Sequence, residues 1–129
     1  MRDHDALHAF LTAWSSPFDW TLHGCCIGFC AAAVKAQTGV DHLEGIAPFK
    51  TQRGAVRALR TRGGYFEAVS SRLTEIAPAF AKRGDVALVT GIGSAALMIF
   101  EGETLVGSGP DGLARLPRER AIAAWSADG

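Results

Sequence analysis

Three cysteines lie within six residues, and the second of them begins an apolar stretch that is typical of a buried helix. They are Cys25, Cys26 and Cys30. A thiol in the first turn of a helix is suited to nucleophilic chemistry, because the helix N-terminus favours the thiolate and its backbone N–H groups can bind an oxyanion. The position of Cys26 therefore makes it the candidate nucleophile of an acyl-transfer or hydrolytic reaction.

A thiol nucleophile needs a base within reach, and the histidines are unevenly distributed along the chain. They are His4, His8, His23 and His42, all in the first third of the sequence. His23 precedes Cys26 by three residues and can reach it if the intervening loop folds back. Asp19 is the nearest acid that could orient the imidazole. We therefore predict His23 as the candidate base.

Two other roles are open for the cysteines. His23 and the three cysteines could bind a metal ion, but Cys25 points about 100° away from Cys26 on a helix, and no second ligand cluster follows downstream. We therefore predict neither a metal site nor a cofactor. Alternatively, Cys26 and Cys30 are small core residues, since free cysteine is among the most buried residue types.

The composition indicates one soluble domain spanning residues 1–129. The chain is 48% hydrophobic and 20% charged, with a formal net charge of zero. The longest apolar runs are too short to cross a membrane, and the first residues lack the apolar segment of a secretory signal. We expect synthesis in a cytoplasm, no membrane span, and free thiols rather than disulfides.

The charge is nevertheless concentrated in one region, because residues 50–83 contain many more basic than acidic side chains. Arg53, Arg57 and Arg60 recur at helical spacing and form one candidate face for an acidic ligand or partner. A solvated helix face explains the same pattern. No motif of a nucleic-acid-binding fold accompanies it, so we predict no nucleic-acid partner.

The periodicity predicts helices first and strands afterwards. Helices are predicted around Leu7 to Trp14, from Cys26 to Gly39, from a cap at Thr51 to Gly63–Gly64, and from Tyr65 to Leu73. Short apolar strands are predicted at 86–89, at 95–100 after a turn at Gly91 and Gly93, at 104–106 and at 113–116. Pro117 suits the first position of a last helix running towards Trp125. This order predicts an α+β fold with helices packed on a small antiparallel sheet.

Several short motifs resemble those of one family in the same order. The segment from Cys26 to Cys30 resembles the Asp-Cys-Ser-Gly-Phe-Val motif of NlpC-type, papain-like cysteine peptidases, and segments 83–89 and 96–102 resemble two of their strands. The whole chain is more similar to small phage and prophage relatives encoded among tail genes. The matching elements are Pro17-Phe18-Asp19-Trp20, Cys26, Thr38-Gly39 and Arg83-Gly84-Asp85-Val86.

The resemblance implies a single NlpC-like domain with Cys26 at the nucleophile position, but the other positions of the motif are degenerate. Cys25 replaces the usual Asp, Ala96 stands where the sheet histidine is expected, and the third polar position falls near Gly107. Without a histidine partner, a cysteine thiol keeps a pKa of about 8.5 or higher. The resemblance therefore implies a pseudoenzyme.

Two functions follow from the resemblance, and one from the residues alone. The first is a structural or assembly component of a phage tail tip or baseplate, a virion protein whose partners are other tail proteins. The alternative is an active endopeptidase or amidase that cleaves peptidoglycan peptides during infection, with Cys26 as nucleophile and His23 as base. A third is a small module that binds acidic polymers through Arg53, Arg57 and Arg60.

Overall fold

Four α-helices precede all the described strands in this computed structural model, which describes residues 2–90 and 95–129. They are α1 (His4–Ala13), α2 (Cys26–Thr38), α3 (Gln52–Thr61) and α4 (Tyr65–Ser70). The predicted boundary residues act as expected, since Thr51 caps α3 by accepting a hydrogen bond from the N–H of Gly54. Gly39 ends α2 in the left-handed conformation, with φ of 80°. Helix α4 ends three residues before the predicted Leu73.

The strands form one open antiparallel sheet. They are β1 (Glu75–Ile76), β2 (Val86–Val89), β3 (Ala96–Phe100), β4 (Thr104–Gly109), β5 (Gly112–Pro117) and β6 (Ala121–Trp125). Their order across the sheet is β1-β6-β2-β3-β4-β5, and each neighbouring pair is antiparallel. This confirms the predicted α+β class. The predicted turn at Gly91 and Gly93 lies outside the described residues.

The last helix predicted from the sequence is wrong. After Pro117 the chain makes a single 3-10 turn over Arg118–Arg120 and then enters β6, which pairs with both β1 and β2. Alanine-rich segments favour helices in isolation, but pairing on both sides outweighs that weak preference. Trp125 fixes the strand, because its side chain is fully buried and its indole N–H donates to Ser70 Oγ at 3.0 Å.

The main core lies between the sheet and the first two helices. It joins Leu7 and Leu11 of α1 and Phe29 of α2 to strand residues such as Ile99 and Trp125. The opposite face of the sheet forms a second apolar cluster with fewer members, namely Ala81, Ala87, Val89, Met98, Phe100, Leu105 and Ala124. The guanidinium of Arg118 lies 4.7 Å from the centre of the Phe100 ring on this second face. Cys26 belongs to the first cluster, so α2 presents it towards the sheet.

Asp85 ties the two ends of the chain to the beginning of β2. Its side chain is completely buried. One carboxylate oxygen accepts from Arg2 at 2.6 Å and from the N–H of Ala127 at 3.0 Å, while the other accepts from the N–H of Lys82 at 2.8 Å. Every acceptor oxygen is thus used, as the burial of a carboxylate requires. The Asp of the Arg-Gly-Asp-Val motif therefore has a structural role.

No helix in residues 2–90 and 95–129 combines the length and apolar character that a bilayer span requires.

Candidate functional site

Helix α2 begins at Cys26, as the sequence predicts, and brings this residue to the surface of the sheet. Cys25 is the N-cap, with extended backbone angles and no side-chain capping hydrogen bond. Only 8% of Cys26 is exposed, and it packs with Cys30, one turn further along the helix, in the main core. The candidate nucleophile therefore occupies the expected place on the helix but has little access to solvent.

The polar partner of the Cys26 thiol is a tyrosine that the sequence analysis did not single out. The hydroxyl of Tyr65, the first residue of α4, lies 3.4 Å from Cys26 Sγ. Burial, followed by the negative charge that Cys26 would carry as a thiolate, raises the pKa of the Tyr65 phenol above its ordinary value. Tyr65 is therefore a neutral phenol at physiological pH, and it cannot remove a proton from the thiol.

The predicted base, His23, comes close to α2 through its backbone but not through its imidazole. A Cβ at Gly28 would lie 2.5 Å from the Cα of His23, so the loop does fold back against the first turn of the helix. The side chain of His23 is exposed, and Tyr65 is the hydrogen-bond partner of Cys26 Sγ within the described ranges. The loop thus brings the backbone of His23 to the site without pairing the imidazole with the thiol.

Asp19, the predicted orienting acid, is engaged elsewhere. Its Oδ1 accepts hydrogen bonds from the backbone N–H of Thr21, at 2.9 Å, and from the Thr21 hydroxyl. The hydroxyl bond, more than the backbone bond, lowers the pKa of the Asp19 carboxyl. A Cβ at Gly24 would collide with this carboxylate, so its negative charge lies just before the N-terminus of α2. A carboxylate at that place is favourable for the helix.

The strand residues that share the core of Cys26 are apolar. Leu97 and Ile99 of β3 and Val106 of β4 pack in the same core as Cys26. Because side chains alternate along a strand, Gly107 belongs to the opposite face, where a Cβ would lie 3.1 Å from Met98 Cγ. A side chain at position 107 would therefore point away from the face of the sheet on which Cys26 packs.

Ala96, where the resemblance expects the sheet histidine, is half-buried at the start of β3 and pairs with Val89. It contacts both apolar clusters and supplies no group that can take a proton. The alternation of β3 places the Ala96 side chain on the side of Met98, so Leu97 is the residue that faces α2. The described strands therefore bring no acid–base side chain to Cys26.

One polar strand residue near α2 was missed by the sequence analysis. Ser108 continues the row of Val106 on β4, and its hydroxyl lies 3.4 Å from the carbonyl oxygen of Gly24, which it can donate to. The two-residue period of β4 was the available signal, because it places Ser108, rather than Gly107, on the helix side. This contact fastens the loop before α2 to the sheet.

The remaining two cysteines are buried free thiols. Burial raises the pKa of Cys25, and it raises that of Cys30 well above the ordinary value. The thiol of Cys25 points towards the carbonyl of Leu22, with a sulfur–oxygen distance of 3.7 Å. In residues 2–90 and 95–129, no three His, Cys, Asp or Glu side chains are arranged to hold a metal ion.

The predicted basic face lies on α3, outside this site. Arg53, Arg57 and Arg60 are exposed and border one shallow depression, together with the half-exposed Val56. None of the three arginines forms an ion pair with the acidic residues that the structure describes. The helix therefore does gather these charges on one surface, although Cys26 has no part in it.

Comparison with known proteins identifies the family. No significant match is found among the curated proteins or among the solved structures. One family model does match, over residues 1–127, and its description is "Domain of unknown function (DUF6950)". The match covers the helices, the sheet and the Cys26 site together. The chain therefore belongs to the DUF6950 family.

Proposed function

We propose that this chain is a non-catalytic structural or assembly component of a phage or phage-derived tail tip or baseplate, built on a degenerate papain-like fold. The α+β arrangement supports the fold proposal, because a helix that begins with a cysteine packs on an antiparallel sheet. The order of the sequence motifs supports the tail context. In this proposal the function of the domain is to provide surfaces that bind other tail proteins.

The observation that carries the non-catalytic part is the surroundings of the Cys26 sulfur. Its polar contact is the neutral hydroxyl of Tyr65, and the strand residues that share its core include Leu97, Ile99 and Val106. A working cysteine hydrolase needs a base within hydrogen-bond distance of the thiol or one bridging water away. The exposed His23 does not supply that base in this arrangement.

The test compares a deletion with a point substitution in the genome that encodes the chain. We expect deletion to abolish infectious particles, whereas Cys26→Ala particles assemble and infect as the parent does. Mass spectrometry of purified particles is expected to find the chain with either residue at position 26. A soluble, folded Cys26→Ala protein that fails like the deletion would overturn the proposal in favour of a peptidoglycan endopeptidase or amidase. Normal particles from the deletion strain would overturn the tail role itself.

A further inference from the structure

Helices α2, α3 and α4 and the loop between α2 and α3 enclose an apolar cavity of about 110 Å³. Its floor consists of buried residues, among them Cys30, Val34 and Leu97. Its walls are apolar residues that stay partly exposed, including Ile46 and Phe49. Because these wall residues reach the surface, the cavity opens to solvent and is accessible to an outside group.

Two arginines border this apolar cavity. Arg62 follows α3 and Arg72 follows α4, and both side chains are exposed. Their hydrogen bonds go to backbone carbonyls, from Arg62 to Ala58 at 3.4 Å and from Arg72 to His42 at 3.0 Å. No carboxylate in the described part of the chain lies within ion-pair distance of either guanidinium. The two guanidinium groups at the mouth of the cavity therefore form no ion pair within the described part of the chain.

An apolar pocket with a charged rim is the arrangement that protein interfaces use to hold a buried anchor residue. An engineered cavity of about 150 Å³ holds benzene, so a smaller one suits an aliphatic side chain such as Leu, Ile or Met better than an aromatic ring. The positive rim selects acidic neighbours on the same segment, because unpaired guanidinium groups form charge-assisted bonds with carboxylates. A segment that carries an aliphatic side chain next to acidic residues therefore matches both the size of the cavity and the charge of its rim.

We propose that this cavity is a docking site for a partner polypeptide that inserts a leucine, isoleucine or methionine side chain and places Asp or Glu residues on Arg62 and Arg72. This inference rests on the proposed assembly function and names the chemistry of the partner. The site is distinct from the α3 face formed by Arg53, Arg57 and Arg60, which borders a different depression.

The test begins with selection from a random peptide display library on the folded wild-type protein. We expect the selected peptides to share one branched aliphatic residue or Met, with Asp or Glu within a few positions. A synthetic consensus peptide should then bind about tenfold more weakly to the Arg62→Gln/Arg72→Gln double variant. It should also lose about tenfold in affinity when Ala58→Leu, or in a separate variant Ala68→Leu, fills the cavity.

The matched control is Arg53→Gln/Arg57→Gln, which removes two positive charges from the same region without touching the cavity. Binding to this variant should change by less than about twofold at physiological salt. Equal losses in both double variants would overturn the proposal in favour of non-specific charge attraction. Selected peptides without acidic residues, or no selected peptides, would overturn it as well.

Two further results separate this inference from the proposed function. A concentration-dependent dimer that the cavity-filling variants abolish would assign the cavity to a second copy of this chain and overturn the acidic partner. Failure of peptide binding, together with normal incorporation into particles, would reject the cavity proposal alone. Specific peptide binding by a chain that is missing from particles would reject the tail role alone.

Discussion

The guanidinium of Arg2 and the carboxylate of Asp85 form an ion pair of 2.6 Å, although 83 residues separate them along the chain. The side chain of Asp85 is fully buried, and that of Arg2 is 6% exposed. The same guanidinium reaches Asp128, so one side chain connects the beginning of the described chain, β2 and the segment after β6. Loss of Arg2 leaves the buried Asp85 carboxylate without its cation, whereas loss of Asp85 leaves Arg2 with the more exposed Asp128.

We expect Asp85→Ala to lower the free energy of unfolding by about 3–5 kcal/mol, because it removes the buried partner of Arg2 and leaves two backbone N–H groups without their acceptor. Urea denaturation followed by circular dichroism measures the change. The control is Glu101→Gln, which weakens the more exposed pair between Glu101 and Arg115 and should cost no more than about 1 kcal/mol. Similar losses of unfolding free energy in the two variants would show that the buried pair stabilises the fold no more than the exposed pair does.

Tyr65 is expected to control access to the Cys26 thiol. In the wild-type protein, iodoacetamide should modify all three thiols slowly under native conditions. Tyr65→Ala uncovers the sulfur, so the rate at Cys26 should rise about tenfold or more, while Cys25 and Cys30 stay slow. Tyr65→Phe is the matched control, because it keeps the ring and removes only the hydroxyl that contacts Cys26.

Peptide mapping by mass spectrometry assigns each modified cysteine. The Tyr65→Phe protein should react as slowly as the wild type if the ring shields the thiol. Rapid modification of Cys26 in the wild type would instead indicate an accessible, activated nucleophile, and it would contradict the proposed lack of activity.

Cys25 occupies an N-cap position that a better capping residue can improve. Its sulfur makes no capping hydrogen bond, whereas a serine oxygen is a preferred acceptor for the first-turn N–H groups. We expect Cys25→Ser to raise the free energy of unfolding by about 1 kcal/mol. Cys30→Ser, the same substitution inside the helix, should instead lower it by about 1–3 kcal/mol, because it buries a hydroxyl in an apolar environment.

Thermal and urea unfolding of the two serine variants provide the comparison. Stabilisation at position 25 together with destabilisation at position 30 is the expected pattern. Destabilisation of equal size at both positions would show that α2 gains nothing from a cap at residue 25.

The stability of the fold should depend on pH through His42. Burial, followed by the positive charge of Arg72, lowers the pKa of this imidazole below its ordinary value of 6.5. As the pH falls through 6.5 towards the lower folded-state pKa, the unfolded chain binds more protons than the folded chain. The free energy of unfolding therefore decreases across this window.

Urea midpoints of the wild type and of His42→Gln, measured at about pH 7.5 and about pH 5.5, test this dependence. The variant should lose less stability on acidification than the wild type. His8→Gln, an exposed substitution on α1, serves as the control and should leave the wild-type pH dependence unchanged. The same acid sensitivity in wild type and His42→Gln would rule out His42 as its source.

The local parts of the fold could be predicted because their signals are local. The cap at Thr51 and the stop at Gly39 lie next to the helices they bound, and both act as predicted. Strand β6 could not be predicted, because its alanines favour a helix and only pairing with β1 and β2 makes them a strand. Composition within a short window carries no information about such partners.

In the candidate site, too, local features could be predicted from the sequence, and contacts between distant residues could not. The position of Cys26 at the start of α2 follows from the sequence, since it depends on helix periodicity. Its contact with Tyr65 joins residues 39 positions apart, and the orientation of Gly107 depends on which face of β4 meets the helix. These features arise from packing and register, which the motif comparison does not contain.

Gly84 of the Arg-Gly-Asp-Val segment has a structural role. Its φ of 96° is the left-handed region that favours glycine, and a Cβ there would lie in conflict with the buried amide of Gln37. Gln37 donates to the carbonyl of Gly84 at 3.1 Å, so α2 is fastened directly to this turn. Gly84 and Asp85 therefore both have structural roles in the Arg-Gly-Asp-Val segment.

The place of β6 in the sheet has a consequence for biosynthesis. Because β6 pairs between β1 and β2, the ribosome must complete residues 121–125 before β2 gains its second neighbour. Until then, Val86–Val89 presents an unpaired edge of four apolar residues to other nascent chains. Rapid overproduction should therefore favour aggregation during translation, and a circular permutant that is translated from β6 first should relieve it.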